Sequence, residues 1–160
     1  MNENLSIRKA CISDFNQINE LFWQSDLFHH NNESYIYEKT DEGHRTKEYF
    51  ESIICEENSI FIVLVIETKI IGFLYAYEEI RGKLPFHKKR KYMVLDNIVI
   101  NEKYQNMGYG QKLMNYFVKY SREKQYKDIV LNVFCFNKNA IKLYENNGFE
   151  KLSQNMILKL

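Results

Sequence analysis

The chain reads as an α/β fold of the α+β kind, and three features of the sequence carry that reading. Two β-rich runs, Ser59 to Ile66 and Lys69 to Tyr77, are parted only by Glu67-Thr68, which predicts a hairpin. A β-branched strand ending at Ile98-Val99-Ile100 feeds a glycine-bearing loop and then an amphipathic helix. A further apolar run, Ile129 to Phe136, and a capped short helix come after it, so strands and helices alternate through the second half.

Taken in order, Leu5 to Ala10 is a short first strand. Ser13 or Asp14 caps a helix with the apolar face Phe15, Ile18, Leu21 and Phe22, which fades between Trp23 and Asp26. From Leu27 to Gly43 no period survives, which predicts a long irregular segment of the functional or mobile kind. His44 to Glu56 resumes a helical period through Tyr49, Phe50, Ile53 and Ile54. In the hairpin, Gly72 marks a bulge or a close contact.

Glu78 to Lys91, with the only proline at Pro85, is predicted as a connecting loop, and Tyr92 to Asn101 as the central strand. Leu113, Met114, Phe117 and Val118 give the next helix one buried face. Ile129 to Phe136 is apolar on both faces, the mark of an inner strand. Asn137 or Asn139 caps the last helix, Gly148 ends it, and Phe149 to Leu160 is expected to supply one or two final strands.

At 160 residues the chain is expected to form a single domain, 1–160. Its 22 basic and 21 acidic residues nearly cancel, which argues against nucleic acid as a partner; the basic run His87 to Lys91 reads as a solvated loop. Cys11, Cys55 and Cys135 are scattered and odd in number, as in a reducing compartment, and Cys135 reads as a small core residue. The four histidines have no metal-ligand spacing, so no metal is expected. The start, Met1 to Ser6, lacks the basic and apolar regions of a leader, and no apolar run is long enough to span a bilayer. A cytoplasmic protein without a membrane partner is the expectation.

The segment Gln105-Asn106-Met107-Gly108-Tyr109-Gly110-Gln111 carries the chemistry. A strand, a glycine-bearing loop and a helix start make a bowl of backbone N–H groups at the positive end of a helix dipole, which suits a phosphate. Gly108 allows close approach of the main chain to an anion, and Gly110 allows the first helical turn to pack without a Cβ. No Gly-Lys-Ser/Thr follows and no Gly-x-Gly-x-x-Gly is present, so neither a P-loop nor a dinucleotide loop is formed.

This strand and loop, taken with Asn137-Lys-Asn-Ala140-Ile-Lys-Leu143-Tyr144-Glu-Asn-Asn-Gly148-Phe149 in register behind them, resemble the GNAT superfamily of acetyl-CoA-dependent N-acetyltransferases. The opening Ile7-Arg8-Lys9-Ala10 with Asp14 extends the similarity over nearly the whole chain. The resemblance implies a mixed, mostly antiparallel sheet of six or seven strands, splayed between strands 4 and 5 and flanked by about four helices. It implies acetyl-CoA as acetyl donor, a primary amine of a small molecule or peptide as acceptor, and direct attack in a ternary complex. Dimers are frequent in the family. A second reading is a catalytically degenerate CoA-binding sensor or interaction module.

By the same resemblance, Ile98, Val99 and Ile100 pair with the pantetheine arm as an added strand, and Gln105, Asn106, Met107, Gly108, Tyr109, Gly110 and Gln111 hold the pyrophosphate through their amides. Asn137, Ala140 and Tyr144 of the second motif also border the cofactor, and Tyr144 is the expected proton donor to the departing thiolate. Asp96 corresponds to the acidic strand position that handles the acceptor amine, with a structural role at a bulge as its alternative; Glu78, Glu79 and His87 are further candidates for the base. Asn106 stands where the family often has glycine and Glu102 where it often has proline; asparagine tolerates left-handed angles, so the loop is expected to form. The acidic residues Asp26, Glu33, Glu38, Asp41 and Glu42 of the irregular segment lean toward a cationic acceptor.

Overall fold

Arg8 and Asp14 set the entrance to the fold. The guanidinium of Arg8 donates to both oxygens of the buried Asp14 carboxylate, at 2.7 and 2.9 Å, while the Cys11 amide donates to the same group at 2.9 Å. This ties β1 (Leu5–Lys9) to α1 (Phe15–Asn32) through a short turn. The computed structural model describes residues 4–41, 43, 45–82 and 84–160. Glu42 and His44, the latter the expected start of the second helix, lie outside the described residues, as do Met1 to Glu3 and Lys83.

After α1 come α2 (Lys47–Ile54), β2 (Ser59–Ile66), β3 (Lys69–Arg81), β4 (Arg90–Ile100), α3 (Tyr109–Glu123), β5 (Ile129–Leu131) and α4 (Lys138–Asn146). The strands lie in the order β1-β2-β3-β4-β5, all antiparallel except β4 and β5, which α3 joins in parallel. Alternation along the strands splits the core in two. Ile60, Ile62, Leu64, Leu74, Met93 and Leu95 meet Leu113, Met114, Phe117 and Tyr144 on one face, while Phe61, Val63, Phe73 and Tyr75 meet Ile18, Leu21, Phe22 and Phe50 on the other.

Several boundaries move from their predicted places. α1 runs on to Asn32 instead of fading near Asp26, because His29 packs on Phe134 and Phe136 from the far end of the sheet and Phe28 on Phe136. The expected loop Glu78 to Lys91 is shorter than predicted, because both its ends are ladder: β3 continues to Arg81 and β4 begins at Arg90, with the Lys91 ammonium 2.7 Å from the Glu78 carboxylate. α2 starts after Thr46, whose hydroxyl accepts from the Tyr49 amide at 3.2 Å.

Among the described residues the sheet has five strands, not six or seven. β5 stops at Leu131, and it is an edge strand rather than the inner strand its composition suggests. Its apolar faces are used differently: Ile129, Leu131 and Val133 face the α3 core, whereas Phe134 and Phe136 turn toward α1. Cys135, in the turn that follows, is exposed rather than part of the core. The expected last strands are absent as well, since 150–160 is without regular structure.

Candidate active site

The register of β3 against β4 creates the central feature. Tyr75 pairs with Asn97 and Ala76 with Leu95, so Asp96 is an extra residue that β3 does not match. Such a bulge bends a strand and re-aims its side chains. Before it, Met93 and Leu95 belong to the α3 side of the core; after it, Ile98 and Ile100 do. Asp96 is thereby turned toward the α1 and α2 side of the sheet, next to Tyr75 and Tyr77.

On its other edge β4 pairs with β5 only from Met93 to Leu95. Beyond the bulge, Ile98, Val99 and Ile100 are laddered to Leu74, Phe73 and Gly72 on one side and diverge from β5 on the other. The result is a wedge-shaped opening whose wall is a free strand edge.

That edge runs directly into the glycine loop. Asn101 is buried and accepts from the Lys103 amide at 3.1 Å, starting a single tight turn over Glu102–Tyr104. The Gln105 side chain donates back to the Ile100 carbonyl at 3.1 Å. Asn106 adopts φ 61°, the left-handed angle expected of it, and Gly108 caps α3 at φ 80°.

The first α-helical bond of α3 is from the Lys112 amide to the Gly108 carbonyl, at 3.2 Å. The amides of Tyr109, Gly110 and Gln111 are left without an acceptor inside the helix, aimed along its positive end. A Cβ on Gly108 would meet nothing within 4 Å, so the space over the loop is open; one on Gly110 would lie 3.4 Å from Leu143, the close packing expected there. Met107 is exposed on the rim, and Tyr109 packs beside Tyr104 with ring centroids 6.4 Å apart. Free amides, an open concave surface and a free strand edge in one line fit a phosphate-bearing ligand with an extended amide arm.

The opposite wall is α4. Asn137 caps it, accepting from the Ala140 amide at 3.2 Å, and Gly148 follows its end at φ 83°. The Gln111 and Asn147 side chains exchange two hydrogen bonds, at 2.7 and 3.0 Å, which lock α3 to α4. Tyr144 is buried on this wall against Phe149, with ring centroids 5.7 Å apart, and burial pushes its phenol up to about 12. It is therefore a neutral hydroxyl at physiological pH, and Phe149 holds its ring.

Across the sheet, the Tyr75 hydroxyl donates to the Glu56 carboxylate, while Tyr77 stands next but one on the same face. Loss of hydration in the cleft raises the Asp96 carboxyl, an effect that Asn97 and Arg45 partly offset and Glu56 adds to. Burial likewise raises the Tyr75 and Tyr77 phenols, and the carboxylates nearby add to the effect. Arg45 is held over Phe22, 4.0 Å from its ring centroid, and pairs with Asp26.

Glu56, Tyr75, Tyr77 and Arg45 have no place in the motif-based reading. Tyr75 and Tyr77 share a face by strand alternation, but only the register shows that this face is shared with Asp96. The other base candidates do not converge there. Glu78 accepts from Tyr126 on the opposite face, Glu79 pairs with Arg81 at 2.8 Å, and His87 lies in the outer loop against Phe86.

Residues 16–149 match the family model described as the acetyltransferase (GNAT) family. The chain belongs to the GNAT acetyltransferase family. Two of its curated relatives carry N-acetyltransferase names. It is 25% identical over 118 residues to human N-acetyltransferase 8, covering 72% of this chain and 47% of that protein. It is 29% identical over 94 residues to the uncharacterized N-acetyltransferase YycN of Bacillus subtilis, covering 59% of this chain and 56% of that protein. The chain thus spans about half the length of the curated relatives it matches. Among solved structures, a tetramutant of the BH1408 protein from Bacillus halodurans superposes with a TM-score of 0.91 at 24% identity, covering 97% of this chain and 99% of that one. The GNAT fold here is the five-stranded mixed sheet with four helices. None of its described helices is long and apolar enough to cross a membrane.

Proposed function

We propose that the chain transfers the acetyl group of acetyl-CoA to a primary amine of a small molecule or peptide, by direct attack in a ternary complex. The observation that carries this reading is the geometry of β4: the extra residue Asp96, then a free strand edge, then the unpartnered amides at the start of α3. The donor supplies an activated acetyl thioester. The main chain of Ile98, Val99 and Ile100 aligns its arm, the amides from Gln105 to Gln111 take its pyrophosphate, and Asn137 and Ala140 border it from α4.

Asp96 accepts a proton from the acceptor's ammonium group and passes it to water, so that the neutral nitrogen forms the new C–N bond. The C–S bond breaks, Tyr144 gives the proton that the departing sulfur takes up, and the proton that the new amide nitrogen loses returns through water to the Tyr144 oxygen. The phenol suits this role because it stays protonated at neutral pH. Glu56 and Asp96 facing Tyr75 and Tyr77 favour a cationic amine whose stem packs on the rings.

The test is thermal unfolding with acetyl-CoA, CoA or ATP, followed by amine-dependent thiol release over a panel of polyamines, aminoglycosides and peptides. A ligand at about 100 times its Kd adds roughly 2.7 kcal/mol. A rise with both CoA forms but not ATP, with thiol release driven by one class of amine, supports the reading. No rise at millimolar ligand rejects it.

A further inference from the structure

The hairpin of β3 and β4 outruns the sheet that carries it. β2 pairs with β3 only as far as Tyr77, and β5 first meets β4 at Met93, so Glu79 to Arg81 and Arg90 to Tyr92 are laddered only to each other. This two-stranded arm ends in a built tip. The His87 amide donates to the Leu84 carbonyl at 2.9 Å, closing a turn with Pro85 and Phe86 at its corners. Gly82, at φ 122°, lets the Lys89 main chain pass so closely that a Cβ there would lie 2.6 Å from the Lys89 Cα.

Two kinds of side chain are left over at the tip. Phe86, Ile80 and Leu84 are 78%, 51% and 50% exposed. The basic run beside them, read from the sequence as a solvated loop, divides in two. Along the stem, Arg81 pairs with Glu79 at 2.8 Å, Arg90 with Asp128 at 2.8 Å and Lys91 with Glu78 at 2.7 Å. Lys88 and Lys89 are exposed and meet no carboxylate among the described residues.

We propose that this tip docks on an anionic lipid surface, with Phe86 and Leu84 entering the acyl boundary and Lys88 and Lys89 held against lipid phosphates. Apolar side chains beside unpaired lysines suit such an interface, because the lysine stems lie along apolar surface while their ammonium groups stay at the headgroups. A projecting convex corner favours lipid over a folded partner, which would need a matching recess. With 22 basic and 21 acidic residues in the whole chain, the attraction is local to the tip. Attachment of this kind needs no spanning helix. It is independent of the acetyl-transfer reading, because it uses no residue of the cleft.

The full chain is expected to co-sediment with vesicles of phosphatidylglycerol and phosphatidylcholine, to stay in solution with phosphatidylcholine alone, and to be released by salt. Each lysine near such a surface is worth roughly fivefold in binding, so Lys88→Gln with Lys89→Gln should weaken it about 25-fold. Leu84→Ser with Phe86→Ser should weaken it by roughly tenfold or more. Both variants should keep the circular dichroism and thermal unfolding of the unaltered chain. Insertion is read from Phe86→Trp, whose emission should move to shorter wavelength on the anionic vesicles, while emission from Trp23 in the unaltered chain stays in place. A chain that ignores anionic vesicles, a lysine variant that binds as tightly as the unaltered chain, or an unshifted Phe86→Trp emission would each overturn the proposal. Salt-dependent retention on duplex DNA in place of vesicles would overturn it too, and would make the tip a nucleic-acid contact.

Discussion

Gly72 of β3 stands opposite Ile100 of β4 so closely that a Cβ on it would lie 2.5 Å from the Ile100 Cδ1 atom and 2.7 Å from the Val99 carbonyl oxygen. The side-chain atom can turn away, but the carbonyl belongs to the ladder. Gly72→Ala is therefore expected to cost about 1 to 3 kcal/mol, as overpacking does. Because the displaced strand is also the wall of the cleft, the shift in unfolding temperature given by acetyl-CoA should shrink. Denaturant unfolding with and without the ligand measures both.

Tyr144→Phe keeps the ring against Phe149 and removes only the hydroxyl. If that group supplies the proton for the departing thiolate, kcat falls by roughly tenfold or more, toward the range of about 10² to 10⁴ typical of a lost general acid. The thermal shift with CoA should be unchanged. Wild-type turnover in the folded variant would assign Tyr144 to packing alone.

Asp96 titrates above the ordinary carboxylate range because the cleft withholds hydration. The acid limb of kcat/KM should lie correspondingly above about 3.9, the usual value for aspartate. In Asp96→Asn that limb disappears and the acceptor KM rises, whereas a profile superimposable on the wild type would leave Asp96 a structural role at the bulge.

Asp14 shifts in the other direction. Its burial favours the neutral form, but hydrogen bonds from Arg8 and the Cys11 amide and thiol outweigh this and lower its pKa. A depressed carboxylate contributes stability above its unfolded pKa and loses it as the pH falls through the folded value. Asp14→Asn should therefore be less stable than wild type at neutral pH, by about 1 to 3 kcal/mol, and the gap should close under acid. Thermal melts at several pH values test the sign.

The loop and helix reading is local chemistry, which is why it could be made from the residues alone. Asn106 and Gly108 take left-handed angles that few other residues tolerate, Asn137 caps α4, and Gly148 ends it. The errors concern partners distant in sequence. α1 is extended by aromatic residues that follow β5, and the ends of Glu78 to Lys91 join the ladder because Glu78 to Arg81 find partners in Arg90 to Met93. For β5, composition alone suggested a buried inner strand, yet its second neighbour is not supplied by the described fold.

By itself the sequence determined the elements whose causes lie within a few residues: the hairpin at Glu67-Thr68, the glycine loop, the Asn137 cap and Gly148 stop of α4, and the buried face of α3. It also determined the family, because the two motifs recur in a fixed order. Only the tertiary structure decided that Asp96 is the unmatched residue of β4 and that Tyr75, Tyr77 and Glu56 share its side of the sheet. The reason is register: a shift of one residue between strands reverses every side chain beyond it, and alternation along one strand does not reveal where its partner slips.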